Sequence, residues 1–280
     1  MNSIQKLGWS LASALAMLVG AASPAIAGTV TVKGSDTMVV LGQRWAEEYM
    51  KKNPSTTMQV TGGGSGTGIS ALINGTTDVC QSSRSMSAAE KEKVRDRYNT
   101  TGVEIPVARD GLSVYVGAQN PVNELSLDQL KLVFTGKITN WKELGGPDAK
   151  IIVYSRENSS GTYVFFKEHV LKNADYTPRA QTMPGTAAVV NAVAKEKFGI
   201  GYGGAAYAKG IKILKIKKDA ASPGVLPELA NVKDGSYGLS RPLFFYFRNK
   251  PSGEIKSFVD WVLSDEGQAI VTKVGYFPIK

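Results

Sequence analysis

From Gly28 onward, short runs rich in Val, Ile and Thr alternate with stretches whose apolar residues recur every three to four positions. No other feature constrains the chain as tightly. Strands linked through helices return to one sheet largely in parallel, and the helices must cover its faces. Thr29-Val30-Thr31-Val32 reads as a strand, and Leu41, Trp45, Tyr49 and Met50 share one side of a helix over 38–52. Residues 57–60 form the next strand, 69–74 a short helix, 78–81 a third strand and 88–98 a charged helix. Later come helices over 127–134, 163–171 and 187–196, with strands over 151–154 and 198–202. Two stretches break the alternation: β runs over 103–107 and 112–116 divided by Arg109-Asp110-Gly111, and residues 239–248, where Pro242 precedes four aromatics. Helices over 254–263 and 268–273 close the chain. The expected fold is α/β, with two lobes joined by two crossing strands and a ligand cleft between them. Lobe 1 would be 28–112 plus 240–280, and lobe 2 would be 113–239.

Residues 1–27 are expected to be a cleaved export signal. Lys6 supplies the positive start, 7–20 an apolar run, and Ala25-Ile26-Ala27 the small-residue cleavage pattern. No Cys stands at the cleavage point to carry a lipid, and no later run approaches the ~20 apolar residues of a membrane span. An exported, soluble, periplasmic protein is expected. Its net charge of +9, of which Lys6 contributes one, suits attraction of anions. With one His and one Cys in 280 residues, a Cys/His zinc site is excluded, and so is an internal disulfide. Cys80, in an apolar run, is expected to be a small core residue.

Function is written in three places where an expected strand ends and a helix begins. They are Lys33-Gly34-Ser35-Asp36-Thr37, Gly62-Gly63-Gly64-Ser65-Gly66-Thr67-Gly68 and Arg156-Glu157-Asn158-Ser159-Ser160-Gly161-Thr162. Each offers hydroxyls and unpaired backbone N–H groups at a helix N-terminus, a natural anion site. Any one of them could simply be a helix cap. Three of matching composition, with Arg84 in Ser82-Ser83-Arg84-Ser85 and Arg156 opening the third, point to a bound oxyanion.

Enzymatic motifs come close and fail. Gly63 to Gly68 has the frame of a P-loop, but Ile69 stands where Lys is required. Gly66-x-Gly68-x-x-Ala71 fits a dinucleotide fingerprint without a clear acidic partner some twenty residues on. Neither Ser65 nor Ser160 lies in G-x-S-x-G, and His169, the one candidate base, falls on a helix at the surface. No catalytic residue, metal or cofactor is expected.

The same motifs, in order, resemble the PstS family, the phosphate-binding proteins of ABC-type phosphate uptake. They are Gly34-Ser35-Asp36-Thr37, Gly63 through Gly68, Ser82-Ser83-Arg84 and Arg156 through Thr162. Arg109-Asp110-Gly111, Phe134-Thr135-Gly136 with Asn140-Trp141, Gly199-Ile200-Gly201-Tyr202 and Arg241-Pro242-Leu243 add to the likeness, which spans nearly all of residues 28–280. The resemblance implies a type II periplasmic-binding-protein fold and a phosphate buried between lobes. Its ligands would be Ser35, Asp36, Thr37, Ser65, Gly66, Thr67, Ser83 and Arg84 from lobe 1, with Arg156, Ser160, Gly161 and Thr162 from lobe 2. It further implies a monomer that hands phosphate to membrane permease subunits and has no nucleic-acid partner. Other tetrahedral oxyanions (sulfate, molybdate) and an exported phosphate-ester hydrolase are the alternatives. Some members of the family carry an Asp where Ser83 stands, to accept the proton of phosphate, so Asp36 is expected to take that role here. Asn158 stands where some relatives support the Arg with an Asp.

Overall fold

Alternating Val and Thr make Thr29–Gly34 a strand, β1, that buries Val30 and Val32. A 3-10 turn over Asp36–Met38 leads into α1 (Val39–Lys52). There follow β2 (Thr57–Thr61), α2 (Ser65–Asn74), β3 (Val79–Ser82), α3 (Ala88–Tyr98) and β4 (Val103–Val116). The middle of the chain supplies β5 (Glu124–Ser126), α4 (Leu127–Phe134), β6 (Ile152–Arg156), α5 (Gly161–His169), β7 (Gln181–Met183), α6 (Thr186–Lys195) and β8 (Gly199–Gly204). The last elements are β9 (Lys212–Ile213), β10 (Lys215–Lys217), α7 (Leu229–Lys233), β11 (Ser240–Phe247), α8 (Gly253–Leu263) and α9 (Asp265–Val274). This computed structural model describes residues 28–279, so the expected export signal over 1–27 lies outside the described residues. Among the described residues no helix is long and apolar enough to cross a membrane.

The main sheet runs β2-β1-β3-β11-β4-β8-β6-β7, with β9 beside β4, and β5 pairs with β10 apart from it. β1, β2 and β3 are mutually parallel, as are β6, β7 and β8, whereas β11 and β4 run antiparallel to their neighbours. β4 carries the chain across the middle of the sheet. Up to Gly111 it pairs with β11, and from Leu112 it pairs with β8. The return passes from Leu239, whose C=O accepts from Leu112 N–H at 3.0 Å, into β11.

The short β5, β7, β9, β10 and α7 are not expected from the sequence, and among the differing boundaries three have a plain local reason. The two runs expected over 103–107 and 112–116 are one strand, because Arg109, Asp110 and Gly111 keep the ladder opposite Pro242, Arg241 and Ser240. The register shifts between Leu243 and Phe244, just past Pro242, which has no N–H to give. α2 and α5 begin at Ser65 and Gly161, earlier than their apolar periodicity. The small polar residues there can enter a first turn without facing a core.

Apolar packing divides the molecule on either side of the β4–β11 pair. One core gathers Val30, Leu41, Trp45, Leu243, Phe245, Phe258, Val262 and Val271. α8 and α9 complete it: Trp45 Nε1 donates to Gly267 C=O at 2.9 Å, and Tyr49 meets Phe258 edge-on at 5.2 Å. The other core is built on Leu112, Val114, Phe134, Trp141, Phe166, Ile200 and Tyr202. Cys80 is free and fully buried beneath α2 and α3, and burial pushes its thiol well above the ordinary range.

Candidate functional site

Parallel strands deliver their C-terminal ends to one place, and loops that follow such ends are the usual ligand-binding positions of open α/β sheets. From the first half come Ser35, Asp36 and Thr37 after β1, Ser65 after β2, and Ser83 after β3. From the second comes the turn between β6 and α5. Ser35 Oγ donates to Ser83 Oγ at 2.9 Å, and Ser83 N–H donates to Ser65 Oγ at 3.1 Å. Contacts between the halves are direct. Thr37 Oγ1 lies 2.9 Å from Thr162 Oγ1, Gly66 N–H donates to Ser159 C=O at 2.9 Å, and Arg156 Nη2 reaches Asp36 Oδ2 at 2.8 Å. Ser35, Thr37, Ser65, Ser83, Arg156, Ser160 and Thr162 are all buried.

Several helix N-termini converge here with their donors free of side-chain caps. α2 starts after Gly64 (φ 93°) and α6 after Gly185 (φ 87°), neither capped by a side chain. The 3-10 turn after Ser35 is likewise uncapped, whereas Ser160 Oγ accepts from Thr162 and Tyr163 N–H at the start of α5. α3 and α4, which start away from these turns, carry full capping boxes, Ser87 with Glu90 and Ser126 with Gln129. Orphan N–H groups gathered at one point favour negative charge.

Two guanidinium groups lie at this junction, each matched to a carboxylate. Arg156, 2% exposed, donates through Nη1 to Thr186 Oγ1 (2.9 Å) and through Nη2 to Asp36, while its buried Nε has no hydrogen-bond partner. Burial pulls the pKa of Arg156 below its ordinary value, and Asp36 opposes that pull. Asp36 Oδ1 accepts in turn from Gly63 N–H at 2.9 Å. Arg241, equally buried, holds Asp110 Oδ2 through Nε (3.1 Å) and Nη2 (2.8 Å). Burial pushes the Asp110 carboxyl up, against the pull of Arg241.

Of the twelve residues singled out from the sequence, most meet at this junction. Gly161 abuts Ser65: a side-chain carbon on Gly161 would fall 2.4 Å from Ser65 Oγ. Gly66 sits against Ser159, and Thr67 lies half-buried in the first turn of α2 beside Gly63. Arg84 is placed differently. Its fork is taken by Glu90, with both Nη–Oε distances at 2.7 Å, because Glu90 occupies the first turn of α3 within reach. The second guanidinium at the centre is instead Arg241. A signal for it exists in the sequence: Arg241 and Asp110 are charges inside otherwise apolar strands, and such charges are rarely buried unless paired. Asn158 gives Arg156 no hydrogen bond, and the supporting carboxylate is Asp36. His169 is exposed, stacked on Phe165 at 3.9 Å between ring centroids. Among the described residues no group of three or more His, Cys, Asp or Glu could hold a metal ion.

Known proteins agree with this architecture. Residues 19–266 match the family model of the PBP superfamily domain. The phosphate-binding protein PstS of Pseudomonas aeruginosa is 33% identical over 271 residues, covering 91% of this chain and 84% of that protein. PstS of Bacillus subtilis is 35% identical over 253 residues, covering 90% and 81%. A Clostridium perfringens protein crystallised with bound phosphate, described as an ABC transporter substrate-binding protein, superposes with a TM-score of 0.83. It shares 33% identity, with 90% of this chain and 100% of that one covered. An ABC-type phosphate transport receptor from Vibrio cholerae superposes at 0.71 with 28% identity, covering 89% and 99%. The fold is that of a type II periplasmic binding protein. With sheet order, hydroxyl-lined turns and full-length relatives in accord, the chain belongs to the PstS family of phosphate-binding proteins within the PBP superfamily.

Proposed function

We infer that this protein binds inorganic phosphate between its two halves and delivers it to an ABC-type membrane permease. The observation that carries the inference is Arg156, buried at the meeting of both halves, its Nε unpartnered, among hydroxyls and uncapped helix starts. Arg156 is balanced by Asp36 and Arg241 by Asp110, so a buried anion draws its stabilisation mainly from oriented N–H and O–H donors. Each such charge-assisted bond contributes about 1.5–3 kcal/mol. The ligand set in this reading is Ser35, Asp36, Thr37, Ser65, Gly66, Thr67, Ser83, Ser160, Gly161 and Thr162 around Arg156, with Arg84 at the rim on Glu90. The lobes are 28–112 with 240–280, and 113–239, a division supported by the two separate apolar cores. The protein works as a periplasmic monomer after removal of residues 1–27, as a carrier like its phosphate-binding relatives.

Donors alone do not separate phosphate from sulfate, because both present oxygens. Only phosphate carries a proton to donate, and Asp36 is the carboxylate beside Arg156 able to accept it. Titration calorimetry on wild-type protein and on Asp36→Asn tests both points. One phosphate per chain with little heat from sulfate or molybdate is expected for the wild type. The variant should narrow that preference by about tenfold. Absence of phosphate binding to the wild type would refute the function. Unchanged phosphate affinity with sulfate still rejected by the variant would remove Asp36 from this role.

A further inference from the structure

Arg241 stands at the start of β11, and its one side chain touches both halves of the molecule. Nε and Nη2 hold Asp110, and Nη1 donates to Ser83 C=O at 3.1 Å. Nη2 also donates to Thr162 Oγ1 at 2.9 Å and, at longer range, to Thr37 Oγ1 at 3.5 Å. The guanidinium lies over the Phe165 ring, 5.2 Å from its centre. Three partners, Ser83, Thr37 and Thr162, sit on the phosphate-binding turns, yet Arg241 itself lies behind them.

A guanidinium only donates. Thr37 and Thr162 bring two hydroxyl protons, and with their oxygens 2.9 Å apart one proton lies between them. The second cannot be given to Arg241, whichever threonine carries it, because the guanidinium has no acceptor atom and its Nη2 faces the pair, 2.9 Å from Thr162 Oγ1. It must leave the pair on the side away from the guanidinium. We propose that Arg241, fixed by Asp110, is a positioning residue that turns this remaining hydroxyl proton toward the bound phosphate. The proposal rests on the phosphate assignment above and extends it to a residue behind the ligand shell. A neutral side chain at 241 would let the hydroxyl turn inward, and the anion would lose one donor.

A thermodynamic cycle tests this. Removing Arg241 alone strands a buried carboxylate, so two milder changes are used. Asp110→Asn with Arg241→Gln and Asp110→Ala with Arg241→Gln each put a neutral amide, which carries an acceptor oxygen, where the guanidinium stood. Each is made in the wild type and in Thr162→Val, melting is recorded first, and either variant with a cooperative transition suffices. Phosphate affinity should fall about tenfold in the wild-type background and by roughly threefold or less in Thr162→Val, because that change already removes the 2.9 Å contact through which Arg241 orders the hydroxyl pair. A merely structural role would lower affinity by the same factor in both backgrounds. That result, or no change in either, overturns the proposal. Failure of the wild type to bind phosphate would instead overturn the ligand assignment.

Discussion

Gly161 occupies a tight point of the junction, where the two halves leave no room for a side chain. A β-carbon there would lie 2.4 Å from Ser65 Oγ and 2.8 Å from Ser83 Oγ. Gly161 is also the first residue of α5, where alanine is the better helix former. Gly161→Ala should therefore lower the melting temperature by only a few degrees, the helix gain partly offsetting the clash, while phosphate affinity drops about tenfold or more, since the halves can no longer meet as closely. Calorimetry beside a thermal melt reads both. The hydroxyl and glycine positions were legible in the sequence because they follow strand ends and need only local geometry. Arg84 borders the same turn, its Nη2 3.7 Å from where a β-carbon on Gly66 would stand. Its nearest carboxylate, Glu90, is six residues away, and that local pairing takes up the fork.

Among the elements, the contrast lies in how helices begin. α4 spends Ser126 and Gln129 on closing its own first turn, whereas α2 and α6 follow glycines and have no side-chain cap. Ser160 does both jobs, capping α5 from within the phosphate-binding turn. Loss of either cap costs about 1 kcal/mol. Ser126→Ala and Ser160→Ala should thus destabilise the fold alike in urea unfolding, and only Ser160→Ala should weaken phosphate binding. Equal phosphate affinity in the two variants would deny α5 its part in the site. A run of charges located α3, in which Val94 alone is buried, and apolar periodicity located α1 and α4 well. It missed the first turns of α2 and α5 because those turns face the ligand junction, where no apolar residue is wanted.

At the scale of the molecule, the two cores are tied together by the end of the chain. Tyr276 packs in the first core and its hydroxyl donates to Thr37 C=O, while Phe277 plugs the second core and its backbone pairs with Arg109. The halves are accordingly expected to unfold as one cooperative unit. Phe277→Ala should cost about 3 kcal/mol and split the urea transition into two. A single transition with unchanged midpoint would show that the tail does not couple them.

The chain's own letters determined the longer strands and helices and the turns that follow them, though not the short β5, β7, β9, β10 and α7. Those properties depend on residues a few positions apart. Which cation faces the threonines was decided only by tertiary structure. β11 inserts between β3 and β4, and that order sets Arg241 directly opposite Asp110 although 131 positions separate them. A buried charge is tolerable only where its partner waits, and sheet order, not sequence distance, brought this partner into place.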